Sequence, residues 1–302
     1  MQIIDAHQHF WDLDHNYLPW LRDDPPIKFR YGDYSALKHS YWPADYRDDS
    51  AGFDVVGTVF VETEWDPRDP TGEVGWVESL KAREGLPTVM VAQAWLDRAD
   101  APEVLESHGR SPIVRGIRHK PRAASRPDLV EPCAPGSMGD PAFRRGFAML
   151  GLHKLSYDLQ TPWWHLGEAR ALADEFPDTQ IILNHTGLPS DRSPEGLAGW
   201  RAAMGELAGA PNVALKISGL GQAGQPWSAN ANRSVVLDAI DIFGPERVMF
   251  ASNFPVDSLV GSFKTIFLGF VAITSTFSEV TRDAMFRRNA ARLYRFPDET
   301  LT

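Results

Sequence analysis

Two histidines stand two residues apart near the start of the chain, directly after a short apolar run. Residues 3–9 read Ile-Ile-Asp-Ala-His-Gln-His. Because side chains alternate across a strand, His7 and His9 are expected on the same side of its carboxyl end. Two converging imidazoles suit a divalent metal or a bound substrate. The pair therefore predicts a functional site, whose nature depends on what the other strands carry.

Polar and ionisable residues also follow most of the other apolar runs. His185 lies in an Asn-His-Thr-Gly motif, and an imidazole that titrates near neutrality is the candidate for acid–base chemistry. Asp158 and Asn253 are the other candidate catalytic residues: the carboxylate could orient a histidine, hold a sugar hydroxyl or bind a metal, and the amide could position water or an oxyanion. The candidate substrate-binding residues are Glu62, Arg115, Arg118, His119, Lys120, Gln160, Trp163 and Lys216. This recurrence is typical of an enzyme.

The densest charge cluster is at residues 115–122, which hold four lysines and arginines. Arg115 and Arg118 are expected to share one face of their strand, opposite Ile117. Guanidinium groups on such a face could clamp a carboxylate in a bidentate manner. The cluster therefore predicts an anionic or oxyanion-forming substrate group.

Two of the candidate substrate-binding residues, Lys216 and Trp163, each have two possible roles. A lysine is expensive to bury without a partner. Lys216 is therefore expected to face a substrate anion or carbonyl, or to form an ion pair with Asp158 or Glu62. The aromatic ring of Trp163 is expected to line the mouth of the site or to pack at the start of a helix.

Eight apolar runs bounded by turn residues predict β-strands at residues 2–7, 55–62, 88–96, 114–119, 154–159, 180–184, 213–217 and 248–251. Most lack polar alternation, as expected of parallel strands buried on both faces. Helical periodicity appears between them, at residues 73–83, 101–107, 141–150, 166–175, 195–208, 234–243 and 281–294. This alternation predicts the α/β class and a (β/α)8 barrel, a TIM barrel, in a single domain over residues 1–302, with its chemistry at the carboxyl ends of the strands. A doubly wound sheet is second choice, since no glycine-rich phosphate motif follows a strand.

Residues 12–42 are too long for an ordinary connection after the first strand. The segment is rich in Pro, Tyr, Trp and Asp, so we expect a βα-loop insertion that folds over the barrel mouth. The chain has ten tryptophans, several of them beside polar strand ends. Some of these are expected to wall a pocket for a ring-shaped ligand.

The charge and composition of the chain narrow the classes of molecule that it is expected to bind. The net charge of −10 and the pI near 5.4 argue against nucleic acid and anionic membranes, and leave a small-molecule substrate. No stretch approaches a membrane span, and a first strand at residue 3 leaves no room for a secretory signal. The single cysteine, Cys133, fits a reducing cytoplasm. A cytoplasmic enzyme is expected, and a homo-oligomer is left open.

The order of the strand-end motifs resembles the amidohydrolase superfamily. These motifs are His-x-His at residues 7–9, Asn-His-Thr-Gly at 184–187, Lys-Ile-Ser-Gly at 216–219 and Ser-Asn-Phe-Pro-Val at 252–256. The chain is most similar to the amidohydrolase-2 branch, which includes sugar lactonases and the pyrone-dicarboxylate lactonase, over nearly its whole length. The resemblance implies a (β/α)8 hydrolase that acts on a small cyclic ester from a sugar acid or an aromatic breakdown product.

The resemblance leaves the cofactor open. Some members hold one divalent metal through the strand-one histidines, with zinc the first candidate, and others work without metal. The superfamily usually has an aspartate at the end of strand eight, where this chain has Asn253, and an amide is no general base near neutral pH. Many metal-dependent relatives carry a histidine on strand five, where this chain has Asp158 or Gln160. A zinc site at His7 and His9 would need a carboxylate such as Asp158 or Glu62 to join it.

The leading hypothesis is hydrolysis of a small lactone that carries a carboxylate or several hydroxyls. In a metal-assisted version an ion polarises the carbonyl or the water while His185 moves protons. In a metal-free version the cations at 115–122, Lys216 and the histidines stabilise the oxyanion. Two alternatives stay open. One is a metal-independent lactone isomerase, which transfers the acyl group between two hydroxyls of one molecule. The other is a non-catalytic relative that binds a ligand.

Overall fold

The Val-, Ile- and Leu-rich runs form eight parallel strands, each hydrogen-bonded to the next in chain order. The structure, a computed structural model, describes residues 1–297. The strands are β1 (Gln2–Gln8), β2 (Asp54–Val61), β3 (Val89–Gln93), β4 (Val114–Arg118), β5 (Ser156–Leu159), β6 (Ile181–Leu183), β7 (Val213–Ile217) and β8 (Val248–Phe250). Beyond the end of β8, the backbone N–H of Asn253 donates to His7, and that of His9 donates to Phe254, each at 2.8 Å. These bonds join the last strand to the first, so the predicted (β/α)8 barrel is confirmed.

Helices follow the strands around the outside of the barrel. They are α1 (Pro19–Arg22), α2 (Pro43–Asp49), α3 (Gly72–Glu84), α4 (Ala101–Arg110), α5 (Pro141–Ala148), α6 (Leu166–Glu175), α7 (Pro194–Ala208), α8 (Ala229–Phe243), α9 (Phe263–Ile273), α10 (Glu279–Asp283) and α11 (Asn289–Leu293). Ser193, Ser228 and Ser262 accept a backbone N–H of the first turn and so begin α7, α8 and α9. The helix expected at 281–294 is divided by a π-helical turn between α10 and α11. Within the described residues, no helix is long and apolar enough to cross a membrane.

The apolar side chains form two clusters, one on each side of the strands. The larger cluster fills the space between barrel and helices. The smaller one lies inside the barrel, where strand residues such as Ile4, Val61 and Ile182 pack with Tyr294 from the end of α11. Close packing of this interior makes the barrel a core and not a pore. Space for a ligand is left at the carboxyl ends of the strands.

The long connection between β1 and β2 is pinched at its base. Trp11 and Tyr41 exchange backbone hydrogen bonds of 3.0 and 2.9 Å, which brings the two ends of the connection together. The side chain of Trp20 donates to the backbone oxygen of Thr63, 2.8 Å away, beyond the end of β2. The connection is therefore fastened to the carboxyl end of the barrel.

Candidate active site

The carboxyl ends of the strands surround a cavity of about 250 Å³, which we call the inner cavity. Its polar lining comes from strand ends: His9, Thr63, Glu64, Arg118, Lys120, Gln160, His185 and Asn253. Most of the remaining lining comes from the connection after β1: Trp11, Trp20, Ile27, Lys28, Phe29 and Arg30. An aromatic wall and a polar, ionisable wall thus meet in one cavity, as in sites that bind a small polar ring. Six residues singled out in the sequence line it: His9, Arg118, Lys120, Gln160, His185 and Asn253.

The ring of His9 has a defined tautomer. Its Nδ1 lies 2.7 Å from the backbone oxygen of Val61, which can only accept a hydrogen bond, so Nδ1 carries the proton. Nε2 therefore holds the lone pair. Burial, assisted by the charge of Arg118, lowers the pKa of His9 to about 3. His9 is consequently a neutral imidazole with a base nitrogen at the cavity.

His7 packs against two other imidazoles, with ring centroids 5.0 Å from His9 and 4.7 Å from His185. The ring is fully buried, and neither of its nitrogen atoms has a hydrogen-bond partner among the described residues. Burial and the charge of Lys216 lower its pKa well below the usual value. Two unsatisfied nitrogen atoms are costly. A ligand of the site, whether water, a hydroxyl or a metal, is therefore expected to complete them.

His185 is held in a left-handed backbone conformation, with φ of 52°. Non-glycine residues adopt this conformation only where the surroundings impose it, which is common at active sites. Its Nδ1 lies 2.9 Å from the hydroxyl of Ser218, and this contact fixes the ring. A Cβ at Gly219 would lie 2.6 Å from that same Nδ1, so only glycine fits there. Burial and then the charge of Arg30 lower the pKa of His185 well below the usual value.

Arg118 is the buried cation of the cavity. Its Nε donates to the Glu62 carboxylate and its Nη2 to the Glu62 backbone oxygen. The remaining nitrogen, Nη1, donates to the side-chain oxygen of Gln160, 3.3 Å away. Glu62, expected to bind substrate, therefore holds the guanidinium and does not line the cavity. Lys120 is paired in the same way with Glu64 at the cavity edge.

Asn253 is oriented by a buried carboxylate. Its Nδ2 donates to Asp257, 2.6 Å away, and Asp257 also accepts from the hydroxyl of Tyr31 at 2.9 Å. Burial raises the pKa of Asp257. The amide of Asn253 also hydrogen-bonds with His9. Asp257 therefore links the connection after β1 to the amide beside the base nitrogen of His9.

Asp158 and Lys216 do not reach the inner cavity. Lys216 Nζ lies 2.6 Å from Asp158 Oδ1, and both residues are fully buried. The hydroxyl of Tyr294 donates to both carboxylate oxygens at 2.8 and 3.0 Å. The catalytic role expected of Asp158 and the substrate contact expected of Lys216 are therefore corrected to a buried ion pair, the alternative left open for the lysine.

Arg115 is a second correction. Three positions separate it from Arg118, and an odd spacing places two strand residues on opposite faces, so they do not share one. The guanidinium of Arg115 donates to backbone oxygens of Pro112 and Arg295, at 2.8 and 3.2 Å. Since these acceptors lie near the start of β4, its side chain points away from the cavity.

His119 and Trp163 are also outside the cavity. The ring of His119 stacks on Phe143 at 5.3 Å, and its Nδ1 accepts the backbone N–H of Leu96. The ring of Trp163 packs on α7 so closely that a Cβ at Gly199 would lie 2.6 Å from it. Both residues therefore support the elements around the barrel, and neither contacts a ligand in the inner cavity.

The comparison with known families agrees with this architecture. The sequence model of the amidohydrolase family matches residues 4–296. This chain belongs to the amidohydrolase family. The match covers β1 from Ile4 onward, the other seven strands in full, and the histidine-bearing strand ends that line the inner cavity.

Individual relatives of this amidohydrolase include proteins with named activities. An uncharacterized protein of Sinorhizobium fredii is 42% identical, over 97% of this chain and 98% of its own. An L-fucono-1,5-lactonase of Burkholderia ambifaria is 29% identical, over 86% of this chain and 82% of its own. A crystal structure of a Burkholderia multivorans amidohydrolase with bound zinc has a TM-score of 0.81 and 26% identity, covering 98% of this chain and 100% of that one.

The zinc in that relative calls for a test of whether the residues of this amidohydrolase fit a metal. His7 and His9 offer neutral nitrogen donors. The two carboxylates expected to complete such a site are already paired, Glu62 with Arg118 and Asp158 with Lys216. In the part of the chain that the structure describes, no three His, Cys, Asp or Glu side chains form a group that could hold a metal ion. With two cations beside them, the histidines do not make a complete metal site in this arrangement.

Several lining residues of the inner cavity were not singled out by sequence reasoning. Trp20, Phe29 and Arg30 lie in the long connection, which was expected over the mouth as a whole but without assignment of single residues. Ser218, which does not line the cavity but holds the ring of His185, was also missed. It stands two positions after Lys216, and strand alternation places both on the same side, which is the signal that could have found it. The walls from the connection have no such periodic signal.

Proposed function

We propose that this amidohydrolase is a lactonase that hydrolyses the cyclic ester of a sugar acid. The observation that carries the proposal is the neutral His9, whose base nitrogen lies beside the Asn253 amide, together with Arg118 in a cavity walled by aromatic rings. A neutral base next to a fixed cation is what hydrolysis of an uncharged ester needs. The named activity of the Burkholderia ambifaria relative supports the same class of substrate.

The cavity explains how such a ring would be held. Trp11, Trp20 and Phe29 offer flat apolar surfaces to the C–H face of a sugar ring. Gln160 and Lys120 offer hydrogen-bonding groups to its hydroxyls. The lactone carbonyl is then placed toward Arg118, whose position is fixed by Glu62. Binding and orientation therefore precede any proton transfer.

The reaction needs one proton acceptor and one oxyanion site. Nε2 of His9 takes a proton from water as the water oxygen bonds to the lactone carbonyl carbon. The carbonyl oxygen becomes an oxyanion, which Arg118 Nη1 stabilises. The bond between the acyl carbon and the ring oxygen then breaks, and the ring oxygen receives the proton from His9. The product is the open-chain hydroxy acid, which releases its acidic proton to solvent. His185 lies against His7 and helps to orient the water.

The proposal is tested with a panel of 1,4- and 1,5-lactones of six-carbon sugar acids, followed by a pH indicator and by proton NMR. Hydrolysis releases acid and gives the open-chain spectrum. A change of spectrum without acid release would instead identify a lactone isomerase. Binding without any turnover would identify a ligand-binding relative. Either of these results, or the absence of turnover and binding across the panel, overturns the proposal.

Replacing His9 by asparagine separates its chemistry from its structural hydrogen bond. The asparagine amide can still donate to the Val61 oxygen, but it has no base nitrogen at the position of Nε2. His9→Asn is expected to keep the melting temperature and to lower kcat about 10²- to 10⁴-fold. His39→Ala, at an exposed histidine, is the control and is expected to keep full activity. Normal turnover by His9→Asn would remove His9 from the mechanism.

A further inference from the structure

A second cavity, of about 520 Å³, adjoins the inner cavity, and we call it the outer cavity. Arg30 and Leu188 line both, so the two cavities meet at these side chains. The rest of the outer lining is neutral, formed by groups such as Tyr31, Trp164 and Gln222, apart from Arg192. In the described chain, no carboxylate lines this cavity.

The guanidinium of Arg192 has no anionic hydrogen-bond partner among the described residues. Its Nε and Nη1 are buried and have no hydrogen-bond partner among residues 1–297. Its Nη2 has only neutral acceptors, the Leu220 backbone oxygen and the Asn232 side-chain oxygen, each at 3.3 Å. Buried guanidinium groups are normally satisfied by carboxylates or phosphates. Nε and Nη1 of Arg192 therefore each keep an N–H group to donate, on different edges of the guanidinium.

Arg30 repeats this pattern at the junction of the two cavities. Its Nη1 is buried and unpartnered in the described structure, and its Nη2 lies 3.8 Å from Asp257. The guanidinium stacks over the ring of Tyr31 at 4.6 Å, which fixes its plane. A Cβ at Gly219 would lie 2.8 Å from Arg30 Nη2 and 2.6 Å from His185 Nδ1. The outer cavity thus begins next to an imidazole of the inner cavity.

Taken with the lactonase function proposed above, on which this step rests, these contacts point to the substrate. We propose that the outer cavity is an anion subsite, in which Arg192 and Arg30 bind a carboxylate or phosphate that the substrate carries away from its lactone carbonyl. Each guanidinium has an unused N–H donor beside a fixed positive charge, so each can donate a charge-assisted hydrogen bond to such a group. The overall charge of −10 makes this local pair of cations more notable, since a generally acidic surface would not hold an anion without them.

The test compares three lactones of one carbon skeleton: glucono-1,5-lactone, its 6-phosphate, and the monolactone of glucaric acid. The measured quantity is the ratio of kcat/KM for each anionic lactone to that for the neutral one. The wild-type ratio is expected to be about tenfold or more for at least one anionic lactone, and the lactone that shows it distinguishes phosphate from carboxylate. Arg192→Gln is expected to lower that ratio about tenfold or more, and raised salt is expected to weaken it.

Two further variants keep the result interpretable. Arg201→Gln removes a half-exposed arginine on α7 that pairs with Asp238, and it is expected to leave the ratio unchanged. Arg192→Lys keeps the charge but loses the planar fork, so an intermediate ratio is expected, and it serves if the glutamine variant does not fold. A wild-type ratio near one, or equal losses on all three lactones in Arg192→Gln, overturns the subsite while the lactonase function stands.

If none of the three lactones is hydrolysed, a binding measurement tests the anion subsite on its own. Titration calorimetry with 6-phosphogluconate and with glucarate is expected to show binding to the wild-type protein that weakens about tenfold or more in Arg192→Gln. That result would support the subsite even though the lactonase function had failed. Equal binding to both proteins, or none to either, overturns it.

Discussion

Lys216 and Asp158 form an ion pair of 2.6 Å inside the barrel, 58 positions apart in the chain. Both are fully buried, and Tyr294 is the further donor to the carboxylate. The ammonium of Lys216 is also close enough to His7 to lower the pKa of that imidazole. The pair therefore links the apolar interior of the barrel to the histidines above it without touching the inner cavity.

Removing the lysine alone should cost stability. Lys216→Met leaves a buried carboxylate with one neutral donor, so we expect the free energy of unfolding to fall by about 3–5 kcal/mol. The double variant Lys216→Met with Asp158→Asn removes both charges and keeps an acceptor for Tyr294, so it should be more stable than the single variant. Urea unfolding followed by circular dichroism measures both. Lys264→Met, at an exposed lysine, is the control. A single variant with normal stability but no turnover would show that Lys216 acts on the substrate and not only as a partner of Asp158.

This pair also shows where sequence reasoning stops. Apolar runs predicted all eight strands, and their ends predicted the cavity residues His9, Arg118 and His185, because in parallel barrels the carboxyl ends converge. Alternation alone does not give the depth of an inward-facing side chain, since depth depends on the stagger between neighbouring strands. Asp158 and Lys216 therefore looked like site residues although they lie deeper. The unpartnered nitrogen atoms of Arg192 could not be predicted from the sequence, because they depend on which residues of distant loops surround the side chain.

The pH dependence of hydrolysis should differ from that of an ordinary histidine base. The pKa of His9 is lowered to about 3, and burial lowers that of His185 well below its usual value. The ring of His9 is then neutral throughout the range from mildly acidic to neutral pH, and burial favours the neutral form of His185 as well. We expect kcat/KM to stay level between about pH 5 and 7.5, after subtraction of spontaneous hydrolysis. An inflection near the ordinary imidazole pKa of about 6.5 would contradict this assignment.

The buried histidines His7 and His9 also predict that the fold is sensitive to acid. Burial lowers the folded-state pKa of His7 well below the unfolded value of 6.5 and that of His9 to about 3. The stability they contribute is therefore present above pH 6.5 and is lost as the pH falls, in the case of His9 toward about 3. The melting temperature of the wild-type protein should therefore fall as pH drops from about 6.5 to 4. His9→Asn should flatten part of this slope. An equal slope in the variant would show that His9 does not carry it.

Metal removal should leave the activity in place. The committed carboxylates and the cations beside His7 and His9 do not favour a divalent ion. Dialysis against a chelator is expected to change kcat/KM by no more than about twofold, and zinc addition is not expected to raise it. Elemental analysis of the freshly purified protein accompanies the assay. Loss of turnover on dialysis with recovery on adding one equivalent of zinc would show that the histidines recruit a further ligand and form a metal site.

Glu73, at the start of α3, should make the fold less stable as the pH rises, which is the opposite of the pH dependence predicted for the histidines. Its Oε1 accepts from the backbone N–H and the hydroxyl of Thr63, at 2.8 and 2.6 Å, while Oε2 is buried without a partner among the described residues. Burial, and then the charge of Glu62, raises the pKa of Glu73 from 4.5 to about 8, so the buried carboxyl is protonated at neutral pH. The stability that this neutral carboxyl contributes is full below pH 4.5 and is lost as the pH rises toward about 8.

Glu73→Gln keeps a neutral acceptor for Thr63 at every pH, so it should not show that loss. We expect the variant and the wild type to melt alike near pH 5, and the variant to melt higher by on the order of 5 °C at pH 8. Calorimetry at several pH values measures the difference, with Glu103→Gln, at an exposed glutamate, as the control. If the two proteins keep a constant difference from pH 5 to 8, Glu73 is ionised in the fold. Its buried charge must then be balanced by Arg118, which also pairs with the neighbouring Glu62.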